Sequence, residues 1–161
     1  VPKEAVPMTV EMGDQRRVVL PVAAEARQPE PAAPAPMEAG GPIPQGPRVT
    51  CPLVALACAR SGDKGDDENI GVIARHPEYL PLLRAQLTPQ RVRDYFAHVV
   101  LGEVERFDVP GLHAINFVLH RALDGGGVCS LRSDPLGKSY AQMLLDLQVE
   151  VPRDWPLQRQ S

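Results

Sequence analysis

The sequence predicts an α+β sandwich, a small sheet covered by helices and preceded by a hairpin and a Pro/Ala-rich linker. Three observations carry this. Ten of the 18 prolines fall before Arg48, and residues 23–47 are Ala, Pro, Glu and Gly with almost nothing to bury, the composition of a semi-extended, disordered tether. Every Phe, Tyr and Trp lies at Tyr79 or later, so only the second part has the bulky side chains to offset chain entropy with a core. Within that part, runs of strand character interleave with stretches of helical spacing.

Taken in order, residues 1–22 read as a β-hairpin, with Met8-Thr-Val-Glu-Met and Arg17-Val-Val-Leu-Pro-Val around Gly13-Asp14. Two strands alone are marginal in water, so the hairpin is expected to be the tail of a larger domain or to join a partner's sheet. The chain opens at Val1 without an initiator Met and reads as a processed product or one piece of a longer polypeptide. The folded α+β domain is expected over 48–152, with 153–161 as a tail.

Residues 49–60 read as one strand of small and branched residues, central and covered on both faces, with Pro52 at its start. Residues 70–75 are either a short second strand or the first turn of a helix. His76-Pro77 opens a helix to Leu87, with Leu80, Leu83 and Leu87 as its apolar stripe. Thr88-Pro89 pairs a capping hydroxyl with Pro at the first helical position. Val92, Tyr95, Phe96 and Val99 then give one buried face, and Gly102 ends that helix. Residues 103–109 alternate as a half-exposed strand.

After Pro110-Gly111, residues 112–123 read as a third helix, Leu112, Ile115, Leu119 and Ala122 inward, His113, Asn116 and His120 on another face. Residues 128–131 read as a strand, Asp134-Pro135 as the start of a fourth helix carrying Leu136, Tyr140, Met143, Leu144 and Leu147, and 148–151 as a strand closing the sheet. The interleaving is of the ferredoxin-like kind.

A net charge of −3 without a basic run argues against nucleic acid as a partner. No apolar stretch approaches the ~20 residues that span a bilayer, and no charged segment followed by an apolar one marks a signal peptide. Cys51, Cys58 and Cys129 are odd in number and lack a CxxC pair, which reads as structural thiols in a reduced, cytoplasmic protein.

The chemistry concentrates in residues 59–71, Ala-Arg-Ser-Gly-Asp-Lys-Gly-Asp-Asp-Glu-Asn-Ile-Gly, a polar loop between two apolar runs. One reading is an anion cradle of Ser61, Gly62, Lys64 and backbone amides. Another is a divalent-cation loop of Asp63, Asp66 and Asp67, and a third is a solvated acidic turn whose side chains cap their own backbone. Neither the Walker nor the EF-hand pattern is present, so no residue is assigned to a metal. Gly125, Gly126 and Gly127 form the second candidate: one glycine serves a helix C-cap, and the others suit close approach by a ligand or another backbone. His113 and His120 lack the zinc spacing i, i+4 and serve as acid or base only if their face turns towards the acidic loop. No glycine-flanked nucleophile or Ser-His-Asp order is present.

The run Ala59-Arg-Ser-Gly-Asp-Lys-Gly-Asp with Asn69-Ile-Gly-Val-Ile-Ala-Arg resembles the C-terminal region of the AtuA-like acyclic terpene utilisation family. The likeness extends through Pro77-Glu-Tyr-Leu-Pro-Leu-Leu, Tyr95-Phe, Gly111-Leu, Asn116-Phe, Leu123-Asp-Gly-Gly-Gly, Asp134-Pro-x-Gly-Lys and Val149-x-Val-Pro. It implies a ferredoxin-like domain and a place in degrading acyclic terpenes or similar branched acids as CoA thioesters, beside a large AtuA-like α/β domain or subunit.

Two expectations follow. In one, the chain is the smaller part of a bacterial branched-chain acyl-CoA enzyme of hydratase or lyase type. Asp63 or Asp66 is then acid/base, and Arg60, Ser61, Gly62, Lys64, Asn69 and Gly125 to Gly127 hold the substrate. In the other, it is a non-catalytic module that dimerises as a homo-oligomer or docks on the large domain.

Overall fold

The computed structural model describes residues 9–13, 16–19, 43 and 45–155. They fall into two units, Val1–Ala33 and Pro34–Ser161. In the first, β1 (Thr9–Met12) pairs antiparallel with β2 (Arg16–Val19), Thr9 opposite Val19 and Met12 opposite Arg16. Gly13 takes the left-handed backbone at the bend, φ 58°, as the expected hairpin requires. The linker expected at 23–47 and the tail at 153–161 fall largely outside the described residues.

The second unit is an α+β sandwich with two antiparallel sheets. In chain order it contains β3 (Arg48–Pro52), β4 (Ala57–Lys64), β5 (Asp67–Ala74), α1 (Leu80–Gln86), α2 (Pro89–Tyr95), β6 (Val104–Val109), β7 (Ala114–Leu119), α3 (Tyr140–Leu145) and β8 (Gln148–Pro152). The main sheet runs β4-β5-β7-β6, and β3 pairs with β8 separately. One face is buried: Ile70 and Val72 on β5 and Ile115, Phe117 and Leu119 on β7 are 0 % exposed. They share one core with Leu80, Leu82, Leu83, Phe96, Tyr140 and Leu144, with α3 against β4 and β5 and α2 against β6. The cap on α2 is as expected, Thr88 Oγ1 accepting from the Arg91 amide at 3.1 Å.

Several expected elements take other forms. Residues 49–60 are not one central strand. Pro52 ends β3 because it has no N–H to continue a ladder, a 3-10 turn follows at Leu53–Ala55, and β4 begins at Ala57 as an edge strand. Residues 112–123 are not a helix: Ile115, Phe117 and Leu119 are buried at period two on β7, paired on both sides with β5 and β6. The run Ala-Ile-Asn-Phe-Val-Leu satisfies both periods, and two flanking strands decide for the sheet. His113 and His120 therefore sit at the two ends of β7 rather than on one helix face.

The helix ended by Gly102 stops earlier, with Phe96 as its C-cap; a side chain at Gly102 would instead overlap the His120 carbonyl. Residues 128–131 form no strand, and Val128 and Leu131 are solvent-exposed. The last helix starts at Tyr140 rather than Asp134, whose carboxylate accepts from the Lys138 and Ser139 amides and holds a turn instead. The closing strand, β8, joins β3 and not the main sheet.

Candidate functional site

The segment expected to be a polar loop is the end of the β4–β5 hairpin. Strand pairing continues to Lys64 opposite Asp67, leaving Gly65-Asp66 as a two-residue turn. Gly65 is left-handed at φ 72°, which suits the first position of a type II′ hairpin turn. Alternation then decides where each polar side chain lies. Asp63 and Glu68 are on the helix-covered side with Ser61 and Ile70, while Arg60, Gly62, Lys64, Asp67, Asn69 and Gly71 are on the open side.

This hairpin end is locked against the glycine triplet. The Asp66 carbonyl accepts from the Ala122 and Leu123 amides at 2.9 and 3.1 Å, and Asp66 Oδ1 accepts from the Gly125 amide at 2.7 Å. A side chain at Gly126 would overlap the Gly65 carbonyl, so the close approach is by another backbone. The three glycine amides expected to bind substrate are engaged within the chain: Gly125 with Asp66, Gly126 with the Leu123 carbonyl and Gly127 with the Pro135 carbonyl.

Ser61 is also occupied. Its hydroxyl donates to the Gly137 carbonyl at 2.7 Å and accepts from the Ala141 amide at 2.9 Å, fixing the edge of β4 to the start of α3. Asp63 lies 3.5 Å from Lys138 Nζ. Lys64 Nζ donates to the Asp63 carbonyl at 3.0 Å. Asn69 Oδ1 accepts from Asn116 Nδ2 at 2.9 Å, which leaves its own amide hydrogens to donate elsewhere.

Glu68, not among the expected site residues, is 0 % exposed. Neither of its oxygens has a hydrogen bond of ordinary geometry among the described residues. Burial pushes its pKa up to about 8; the Gly62 amide and Lys138 pull against this, and Asp134 and Asp63 push with it. Gly137, left-handed at φ 62°, packs where any side chain would overlap the Glu68 carboxylate. A period-two reading of Glu68, Ile70, Val72 and Ala74 would have placed Glu68 inside.

On the open side, His120 bridges two carboxylates, Nδ1 to Asp67 Oδ2 at 2.9 Å and Nε2 to Glu105 Oε1 at 2.7 Å. The bonds to Glu105 and Asp67 raise its pKa. Asp67 is held low, first by the Arg121 amide and then by His120. Burial pushes Asp134 up, but the hydrogen bonds from Ser139 and Lys138 outweigh it and leave it below the usual carboxylate range.

The open side also carries a shallow hollow of about 340 Å³ bordered by Arg60, Gly62, Lys64, Asn69, Gly71 and Lys138. A larger one, about 450 Å³, lies between α2 and β6, but its Arg93 is tied to the Gly102 carbonyl at 2.8 Å. The smaller hollow collects more positive charge, from Arg60, Lys64 and Lys138, of which Lys138 also faces Asp63. Lys138 enters it from a distant part of the chain, and no local pattern in the sequence links it to residue 62. Among the described residues no group of three or more His, Cys, Asp or Glu is arranged to hold a metal ion. No helix there is long and apolar enough to cross a membrane.

No curated protein and no solved structure matches the chain significantly. The family model of the AtuA ferredoxin-like domain does match, over residues 51–150. That span takes in both hairpins of the main sheet, the three α-helices of the described residues and the hollow, and the chain belongs to the family of AtuA ferredoxin-like domains.

Proposed function

We propose that this chain is the smaller part of a bacterial enzyme of acyclic terpene or branched-chain acyl-CoA catabolism, and that it holds the anionic part of a CoA thioester while a larger AtuA-like α/β partner supplies the main reacting groups. One observation carries this reading: the groups most suited to chemistry are consumed inside the chain, whereas the cations are left outside. Ser61, Asp66 and the amides of Gly125 to Gly127 all complete internal hydrogen bonds, while Arg60, Lys64 and Lys138 are exposed around one hollow. Preorganised cations at such a place stabilise phosphate or thioester oxygens without themselves reacting.

Hydratase or lyase chemistry within the module itself is the second reading, and Asp63 favours it. Its carboxylate stays 35 % exposed beside Lys138, so it remains the acid/base candidate that Asp66 no longer is. The two readings separate by kinetics on the complete enzyme. Lys64→Ala with Arg60→Ala should raise KM for the acyl-CoA about tenfold with kcat nearly unchanged, since lost ground-state binding appears in KM. Asp63→Ala should leave kcat within about twofold; a fall of a hundredfold or more would move the chemistry into this module. Turnover indifferent to all three substitutions would reject the proposal.

A further inference from the structure

The glycines of this domain divide by whether the fold needs them. At Gly102, Gly126 and Gly137 a side chain would overlap backbone or a buried carboxylate. Gly71 is different. It lies in the middle of β5 with no left-handed angle, and an added Cβ would meet only Asn116 Oδ1 at 3.8 Å and the Arg60 carbonyl at 4.0 Å, ordinary contacts. Gly62 on β4 resembles it: an added Cβ would meet only the flexible end of Lys138, 2.8 Å away.

Glycine inside a strand loses more conformational freedom on folding than other residues and gives the sheet nothing to pack. Two such residues, diagonal to each other on one open face with nothing in the described structure requiring them, point to something outside the chain that needs the space.

What surrounds them says what that is. Gly62 and Gly71 form the floor of the hollow, and Arg60, Lys64, Lys138 and the donating end of Asn69 form its border. Every one of those border groups offers N–H and, apart from Asn69, a positive charge. Two acids are near: Asp63, on the covered side, lies 3.5 Å from Lys138 Nζ, and Asp67, opposite Lys64 on the open side, is held by His120 and the Arg121 amide. We infer that the Gly62–Gly71 floor is a binding site for a polyanionic phosphate group, which lies flat on the sheet with Arg60, Lys64 and Lys138 around it and Asn69 donating to it. The phosphate can be free or belong to a nucleotide-like carrier such as the diphosphate of CoA. Only the CoA case rests on the proposed function; the phosphate site itself does not.

The test is calorimetric titration of the full chain at low salt with inorganic pyrophosphate and, separately, with CoA. Both should bind. Gly71→Ala and Gly71→Val should each weaken both by about tenfold or more while the melting temperature does not fall, because either side chain suits a strand better than glycine. Arg60→Ala with Lys138→Ala should weaken both equally and flatten the salt dependence. If neither probe binds, or if Gly71→Val binds both as the unaltered chain does, the inference is overturned. If pyrophosphate binds in a Gly71-dependent way and CoA binds no tighter, the phosphate site stands and the acyl-CoA reading falls.

Discussion

Glu68 shows how far one residue departs from its ordinary chemistry. A carboxyl with an ordinary value of 4.5 is held at about 8 by burial, a difference worth roughly 5 kcal/mol between its two protonation states. The folded protein keeps this proton at pH values where the unfolded chain has released it. Stability therefore falls as pH rises from 4.5 to about 8 and levels off above that. Glu68→Gln removes the charge but keeps the shape, so its advantage over the unaltered protein should be near zero at pH 4.5 and grow steadily towards pH 8. Urea unfolding across that range measures it, and an advantage independent of pH would refute the assignment. Gly137→Ala is the steric counterpart. It places a Cβ in the Glu68 carboxylate and strains a left-handed backbone, and should cost about 3 kcal/mol or more at any pH.

At the scale of elements, the β4–β5 hairpin end and the segment 122–127 behave as one unit. Three hydrogen bonds to Asp66 and the Gly65–Gly126 approach join them. Asp66→Ala deletes the carboxylate acceptor of the Gly125 amide and should lower stability by about 1–2 kcal/mol. It should also speed hydrogen exchange at Gly125, while exchange in β7 stays slow. Gly126→Ala should cost more, because it forces backbone from backbone rather than removing one bond. Equal effects of the two would mean that the close approach is unimportant. Much of this unit was legible in the sequence: the turn glycines and the triplet are conspicuous, and close approach by another backbone was one of the readings they allowed. Their hydrogen-bond partners were not legible, because residues 66 and 125 are brought together only by the register of β5 on β7.

For the domain as a whole, the shifted groups set a pH optimum. His120, raised by Glu105 and Asp67, contributes stability in full below its ordinary value of 6.5 and loses it as pH rises through the raised one. Glu68 acts in the same direction from 4.5 upward. Asp67 and Asp134, both held low, contribute above their ordinary 3.8 and lose it as pH falls. The melting temperature should therefore be highest between about pH 4 and about pH 4.5, and decline on the alkaline side, first through Glu68 and then also through His120. His120→Asn with Glu68→Gln should flatten that alkaline decline in a melting series, whereas an unchanged decline would place its cause elsewhere.

The sequence by itself determined the class of fold, the helix capped by Thr88 and the helical stretch after Pro77, the strands at 104–109 and 148–152, and the family to which residues 51–150 belong. These rest on local chemistry such as proline, capping hydroxyls and alternation, and on one specific string of residues, so a single chain suffices to read them. The tertiary structure decided what depends on partners far along the chain. It made residues 114–119 a strand because strands flank them on both sides, and it put Glu68 inside beneath Gly137. It also brought Lys138 to the glycine floor of the open face. Pairing across the sheet is a property of neighbours in space, and no spacing along the chain encodes it.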